Sequence, residues 1–331
     1  MKANRTLLLT RGDVAALLSL DECIAAVEQA FKAHAEGRSL PPGVLGIHAR
    51  DGGFHIKAAG LELSRPYFAA KVNGNFFHNQ ERFGLPNIQG VIVLCDAGNG
   101  APLAVLDSIE ITILRTGAAT GVAAKYLARE DATVATLCGA GNQGRVSLRA
   151  LTKVRPLEKA FVFDLNHSQA TRFADELAGE LKIEVKAVSD LAAAVSQSDI
   201  CVTCTPSTQP YLKRADVAPG TFIAAVGADN ETKQELDPHL LAASKVVVDS
   251  LEQCAVIGDL KRALQLGLMT KAGVHAELGE VIAGRKPGRV SREEVIVFDS
   301  TGTALQDVAA AAIVYEKAVN KGRGIGLHFS V

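Results

Sequence analysis

From residue 132 onward, short apolar runs alternate with stretches in which apolar residues recur every three or four positions. The runs have the length of buried strands, and the periodic stretches carry one apolar helical face. Strands are predicted at 132–138, 159–164, 183–188, 199–205, 221–227, 244–249 and 294–299, with helices near 142–153, 168–180, 190–197 and 258–269. Such alternation builds a parallel, doubly wound sheet whose ligands sit beyond the strand carboxyl ends, where the strand order reverses.

The first 120 residues are patterned differently. Ser19-Leu20-Asp21-Glu22 is a capping box; the helix behind it aligns Leu20, Ile24, Val27 and Phe31, and Gly37 ends it. Segments 43–48, 54–60, 67–74 and 90–96 predict turn-linked strands of a mainly antiparallel sheet. An amphipathic helix at 109–128 leads into the alternating region. The last helix, roughly 303–320, has no strand left to serve there, so it is expected to return to the first region. The expected domains are 1–118 with 303–331, and 119–302. The cleft between them is the default place for a substrate.

Composition removes several function classes. The 331 residues are 48% hydrophobic and 21% charged, with a formal charge of −1. Lys and Arg are spread along the chain, so no field for nucleic acid or anionic membrane is expected. No apolar run approaches the ~18 residues of a membrane span. The N-terminus lacks the pattern of a signal peptide, which predicts a cytoplasmic protein. Six cysteines in this length are not a disulfide scaffold. Cys201 and Cys204 form a CxxC, but with no His or Cys partner motif they are expected as strand residues, and no metal site is expected.

The strand at 132–138 runs into Gly139-x-Gly141-x-x-Gly144, with Asn142 and Gln143 inside the motif and a helix after it. The first glycine permits the tight turn, the second admits a pyrophosphate against bare backbone, and the third lets helix and strand pack. Asp164 closes the next strand, near where a dinucleotide fold puts the carboxylate that bonds the ribose hydroxyl. That carboxylate favours NAD(H) over NADP(H), whose 2′-phosphate it repels, although Asn166, His167 and Ser168 behind it soften the preference. Thr205, ending the strand at 199–205, is counted with this cofactor side.

Three further positions carry candidate chemistry. Lys71 lies in an alternating strand and is either a solvated side chain or a compact charge for a substrate carboxylate. Arg115 sits among apolar helical residues, where burial is costly unless it meets an anion. Asp229 follows the strand at 221–227 on its carboxyl side, either as a turn residue or as a group exchanging protons with an amine or imine.

AAKVNGN (69–75), GVIVLCDAGNGAPLAVLDS (90–108), TILRTGAATGVAAKYLAR (112–129), GAGNQG (139–144), VGADNETKQELDP (226–238), HAELGEVIAGRKPG (275–288) and VFDSTGTALQD (297–307) carry a further signal. Together they resemble the ornithine cyclodeaminase/μ-crystallin family, almost end to end. The resemblance implies an α/β fold, a Rossmann-type doubly wound parallel sheet plus a smaller α+β domain made from both chain ends that forms a homodimer. It implies NAD(H) or NADP(H) chemistry on the C–N bond of an amino or imino acid. By position, it implies substrate-carboxylate binding by Lys71 and Arg115 and proton handling by Asp229. Thr116 is implied near the cofactor phosphates, and Ser300, Thr301 and Gly302 near the nicotinamide.

Two departures bear on the substrate. Family members commonly have an Arg soon after a Pro-Pro pair, whereas this chain reads Pro41-Pro42-Gly43-Val44. The usual Met-Pro-Ala after the next strand reads Lys57-Ala58-Ala59, so Lys57 is expected to replace the lost cation, with His55 on the same strand face. A third, milder departure is Gly144, where the family usually carries Ala, and no effect on binding is expected. The expected activity is reduction of a cyclic ketimine or Δ1-pyrroline-2-carboxylate, or the reverse dehydrogenation of an amino acid. The alternatives are an ammonia-releasing ornithine cyclodeaminase that recycles NAD, and a non-catalytic nucleotide-binding protein.

Overall fold

The computed structural model describes residues 5–328. The chain opens with β1 (Thr6–Leu9), α1 (Arg11–Leu17), α2 (Leu20–Ala35), β2 (Ser39–Ala49), β3 (Gly52–Glu62), β4 (Pro66–Asn75), α3 (Asn79–Phe83), β5 (Ile88–Asp96), β6 (Pro102–Asp107) and α4 (Ser108–Leu127). It continues through β7 (Val134–Cys138), α5 (Asn142–Val154), β8 (Lys159–Phe163), α6 (His167–Leu181), β9 (Glu184–Ala187), α7 (Leu191–Val195), β10 (Ile200–Thr203), β11 (Phe222–Ala225), α8 (Pro238–Ala242) and β12 (Lys245–Val248). The last elements are α9 (Leu251–Ile257), α10 (Leu260–Gln265), β13 (Ala276–Glu277), α11 (Leu278–Ile282), β14 (Ile296–Asp299), α12 (Ala304–Lys321) and β15 (Ile325–Leu327).

Two compact units result, one made of the residues up to Arg115 together with those from Thr303 onward, the other of Thr116–Gly302. In the split unit, Thr10 and Ser19 close capping boxes that start α1 and α2. Its seven-stranded sheet runs β15-β1-β6-β5-β4-β3-β2. Strands β2 to β6 form an antiparallel meander, and β1 lies parallel to β6. The inner face buries Ala59, Leu61, Tyr67, Ala69, Ile92 and Leu94, while α12 packs on α2, β3 and β4. The outer face leaves Leu45, Ile47, Phe54 and Val91 exposed.

Four elements of this unit escaped the sequence reading. β1 and β15 are too short to show alternation, β6 begins at a proline, and α3 is a single turn. Proline also shapes β2, which starts earlier than expected and shifts register between Leu40 and Gly43. Pro41 and Pro42 lack the N–H that a ladder needs, so the strand bulges around them.

The second unit holds an eight-stranded, wholly parallel sheet in the order β13-β12-β14-β11-β10-β7-β8-β9. Its order reverses beside β7, as a doubly wound sheet requires. Every residue of β10, β11 and β14 is buried, because helices cover both faces of such a sheet. The single helix expected at 258–269 is instead two, α9 and α10, parted at Gly258. A Cβ there would lie 2.5 Å from an Asp299 carboxylate oxygen, so the chain must turn on glycine. Among the described residues, no helix is long and apolar enough to cross a membrane.

Candidate functional site

In the split unit, antiparallel pairing sets Lys57 directly opposite Lys71, and His55 opposite Asn73, all on the inner face. Like charges side by side repel, so something must hold them. Asp307, in the first turn of α12, is 1% exposed and has Lys71 Nζ at 2.9 and 2.8 Å from its two carboxylate oxygens. Arg115 Nε lies 3.3 Å from the same carboxylate, and an Arg115 amine donates to Gln306 Oε1 at 3.0 Å. Lys57, Lys71 and Arg115 are 8%, 3% and 6% exposed. The structure thus gathers Lys57, Lys71, Arg115 and His55 in one unit.

Electrostatics follows from this packing. Burial pushes Lys71 down to about 7; Asp307 pulls it back up, and Arg115 and Lys57 add to the fall. Burial alone would raise the Asp307 carboxyl, but Lys71 and Arg115 outweigh it and hold the group below its usual range. Cys23, packed nearby, has its thiol pushed up to about 12 by burial. Asp307 and Gln306 were missed in the sequence. Their signal was the one that exposed Arg115: a polar residue inside an otherwise apolar helix face.

In the other unit, β7 enters Gly139 at φ +111°, a conformation open to glycine and strained for other residues. A Cβ on Gly144 would lie 2.2 Å from the Gly139 carbonyl oxygen, so the turn as built needs glycine there too. Gly141 precedes α5 with no side-chain cap, leaving the first N–H groups of a 13-residue helix for an anion. Asn142 is exposed and Gln143 half-buried in that first turn. Beside it opens a cavity of about 770 Å³ lined by Gly139, Gly141, Asp164, Thr205 and Tyr211. Asp164 accepts from Ala140 N at 2.9 Å and Asn166 N at 2.8 Å, which ties the fingerprint to the end of β8. These features fit a dinucleotide.

The remaining candidates of this unit line its strand ends. Thr116 is 9% exposed on α4, and its carbonyl accepts from Thr120 Oγ1. Asp229 follows β11, with its side chain 49% exposed and Lys233 Nζ at 2.7 Å. Asp249 accepts from Ser300 Oγ, Thr301 Oγ1 and Gly302 N.

The sequence reading also passed over Glu235, which is fully buried and accepts from Thr205 N, Thr205 Oγ1, Tyr211 Oη and Gly227 N at 2.6–3.0 Å. It fastens the wall of the cavity to the turn before Asp229. Asp259 and Asp299 are equally buried and accept backbone N–H groups. Burial raises all three carboxyls, Asp299 to about 7. Among the described residues, no cluster of His, Cys, Asp and Glu could hold a metal ion. Cys201 lies in the core, and Cys204 Sγ meets the Cys138 and Gly139 carbonyls.

Comparison with known proteins agrees over nearly the whole chain. An alanine dehydrogenase of Archaeoglobus fulgidus is 39% identical over 324 residues, covering 98% of each chain. The solved structure of an archaeal alanine dehydrogenase dimer with bound NAD superposes with a TM-score of 0.93 at 39% identity, over 98% of this chain and 99% of that one. The Thermococcus litoralis Δ1-pyrroline-2-carboxylate reductase in complex with NADH and L-proline has a TM-score of 0.92 at 37% identity, over 97% and 100%. Residues 4–322 match the profile of the Ornithine cyclodeaminase/mu-crystallin family, and the chain belongs to that family.

Proposed function

We propose that this protein is an NAD(H)-dependent oxidoreductase acting on the C–N bond of a small α-amino or α-imino acid. The observation that carries this reading is the pair of buried cations, Lys71 and Arg115, organised on the single carboxylate of Asp307. Two cations on one anion leave a positive site, for which a substrate carboxylate is the fitting ligand. The names of the relatives, and the NAD, NADH and L-proline in their structures, support the same class.

Lys71 and Arg115 hold the substrate carboxylate, which orients the α-carbon for reaction. Lys57, opposite Lys71, supplies the charge that family members draw from the Arg absent here, and His55 shares its face. Lys71, lowered to about 7, exchanges a proton readily at neutral pH. Asp229 handles the proton on the substrate nitrogen or on an attacking water. NAD(H), when bound, supplies the hydride chemistry. Gly139, Gly141, Asn142, Gln143, Gly144 and Thr116 hold its phosphates, Asp164 its ribose, and Thr205, Ser300, Thr301 and Gly302 the rest. The split unit is the substrate-binding and dimerisation domain, and the other the dinucleotide domain.

The homodimer reading rests on the exposed apolar face of Leu45, Ile47, Phe54 and Val91, and on the dimeric alanine dehydrogenase relative. Ile47→Asp should shift the protein toward monomer in sedimentation. Six free cysteines suit a reducing cytoplasm.

The deciding experiment follows nicotinamide absorbance with Δ1-pyrroline-2-carboxylate, with 2-keto acids plus ammonia, and with ornithine, comparing NADH and NADPH. Net oxidation of NADH by one imino acid supports the proposal. Ammonia release from ornithine without net NADH change would make the protein a cyclodeaminase instead. Binding without any turnover would leave a nucleotide-binding protein. Lys57→Ala should raise the apparent KM for substrate, and an unchanged KM would remove Lys57 from the site.

A further inference from the structure

Asp249 is 2% exposed at the carboxyl end of β12, beside the end of β14 in the parallel register that pairs Val248 with Asp299. Its carboxylate accepts from Ser300 Oγ at 3.0 Å, Thr301 Oγ1 at 3.2 Å, Gly302 N at 2.6 Å and Cys254 Sγ at 3.3 Å. Gly302 has φ +75°, so the segment curls around this one side chain. An ionised carboxylate can only accept, and a hydroxyl has one hydrogen and two lone pairs. Ser300 and Thr301 therefore direct their hydrogens at Asp249, and Gly302 N–H is engaged as well. What the two hydroxyls have left to offer a ligand is lone pairs. Whatever meets this strand end must donate.

We infer that Asp249 is a specificity-determining positioning residue for the cofactor: by fixing Ser300 and Thr301 as acceptors, it makes the site select the carboxamide N–H₂ of the nicotinamide ring. This rests on the reading that residues 300–302 face the nicotinamide, and it adds a donor-acceptor polarity to that reading. A ring bearing a group that only accepts, such as acetyl or carboxylate, meets oxygen lone pairs and gains nothing. One hydrogen bond of this kind is worth about tenfold in affinity.

The test is equilibrium binding by calorimetry, which needs no turnover, with NAD+ and 3-acetylpyridine adenine dinucleotide. The second nucleotide keeps the carbonyl and replaces the N–H₂ by methyl. The native protein should bind NAD+ about tenfold more tightly. In Asp249→Asn, whose amide donates, the hydroxyls are free to turn and the preference should shrink to about twofold or less. Ser300→Ala, a small change that keeps the fold, should lose part of the preference while leaving the analogue's affinity nearly unchanged. Equal binding of both nucleotides to the native protein overturns the proposal alone. Full preference retained in Asp249→Asn or Ser300→Ala also overturns it. Binding of neither nucleotide overturns the cofactor reading, and this proposal with it.

Discussion

In the split unit the buried carboxylate of Asp307 faces two cations, whereas in the other unit Asp259, Asp299 and Glu235 are met by backbone N–H groups and hydroxyls. The four acids are about equally buried, yet their carboxyls move in opposite directions: Asp307 down, the other three up. Full charges outweigh the cost of burial, and partial charges of backbone dipoles do not. The first arrangement keeps an ion pair ready for a substrate anion. The second uses acids as fasteners for the loops that bear the cofactor site.

Removing Asp307 is the most severe test of that contrast. Asp307→Asn leaves two cations buried without a counter-charge and should destabilise the fold by about 3–5 kcal/mol in urea denaturation. Asp259→Asn keeps an oxygen for the N–H groups of Glu235 and Leu236 and should cost much less. Equal losses would break the comparison.

The pH dependence sharpens it. Between 3.8 and about 7, Asp299 is ionised when unfolded and protonated when folded, so its contribution to stability falls as pH rises through that window. Between about 7 and 10.5, Lys71 is charged when unfolded and neutral when folded, so its contribution rises with pH there. Denaturation of the native protein against Asp299→Asn and Lys71→Met, at about pH 5, 7 and 9, should give differences of opposite slope in the two windows. Parallel slopes would refute the assignment.

A smaller effect comes from the fingerprint, where backbone geometry replaces charge. Gly144→Ala puts a Cβ 2.2 Å from the Gly139 carbonyl oxygen and should weaken NADH binding about tenfold in a fluorescence titration. The smallest effect belongs to pairs at the surface. Arg149→Ala breaks its 2.7 Å contact with Glu180 and should change stability by less than about 1 kcal/mol.

Much of the fold could be read from the chain, because a parallel sheet buried on both faces writes itself as apolar runs between amphipathic helices. The capping boxes, the fingerprint turn and the return of α12 to the first region were legible for similarly local reasons. Asp307 was not, because its meaning depends on partners in β4 and α4 that no spacing connects. Asp249 and Glu235 were hidden for another reason. Acids at strand ends resemble ordinary turn residues until the backbone groups they hold are known. Short strands such as β1 and β15 lack enough positions to show alternation at all.

Lys71 and Asp307 stand 236 positions apart. A ribosome therefore makes the lysine, then an entire doubly wound unit, before the residue that neutralises it emerges. The inner unit can finish while its neighbour waits, ammonium still hydrated, for the chain's final helix. Shortened products ending before that helix would carry two cations seeking a core that will not accept them, an exposed defect by which a cell can recognise unfinished copies.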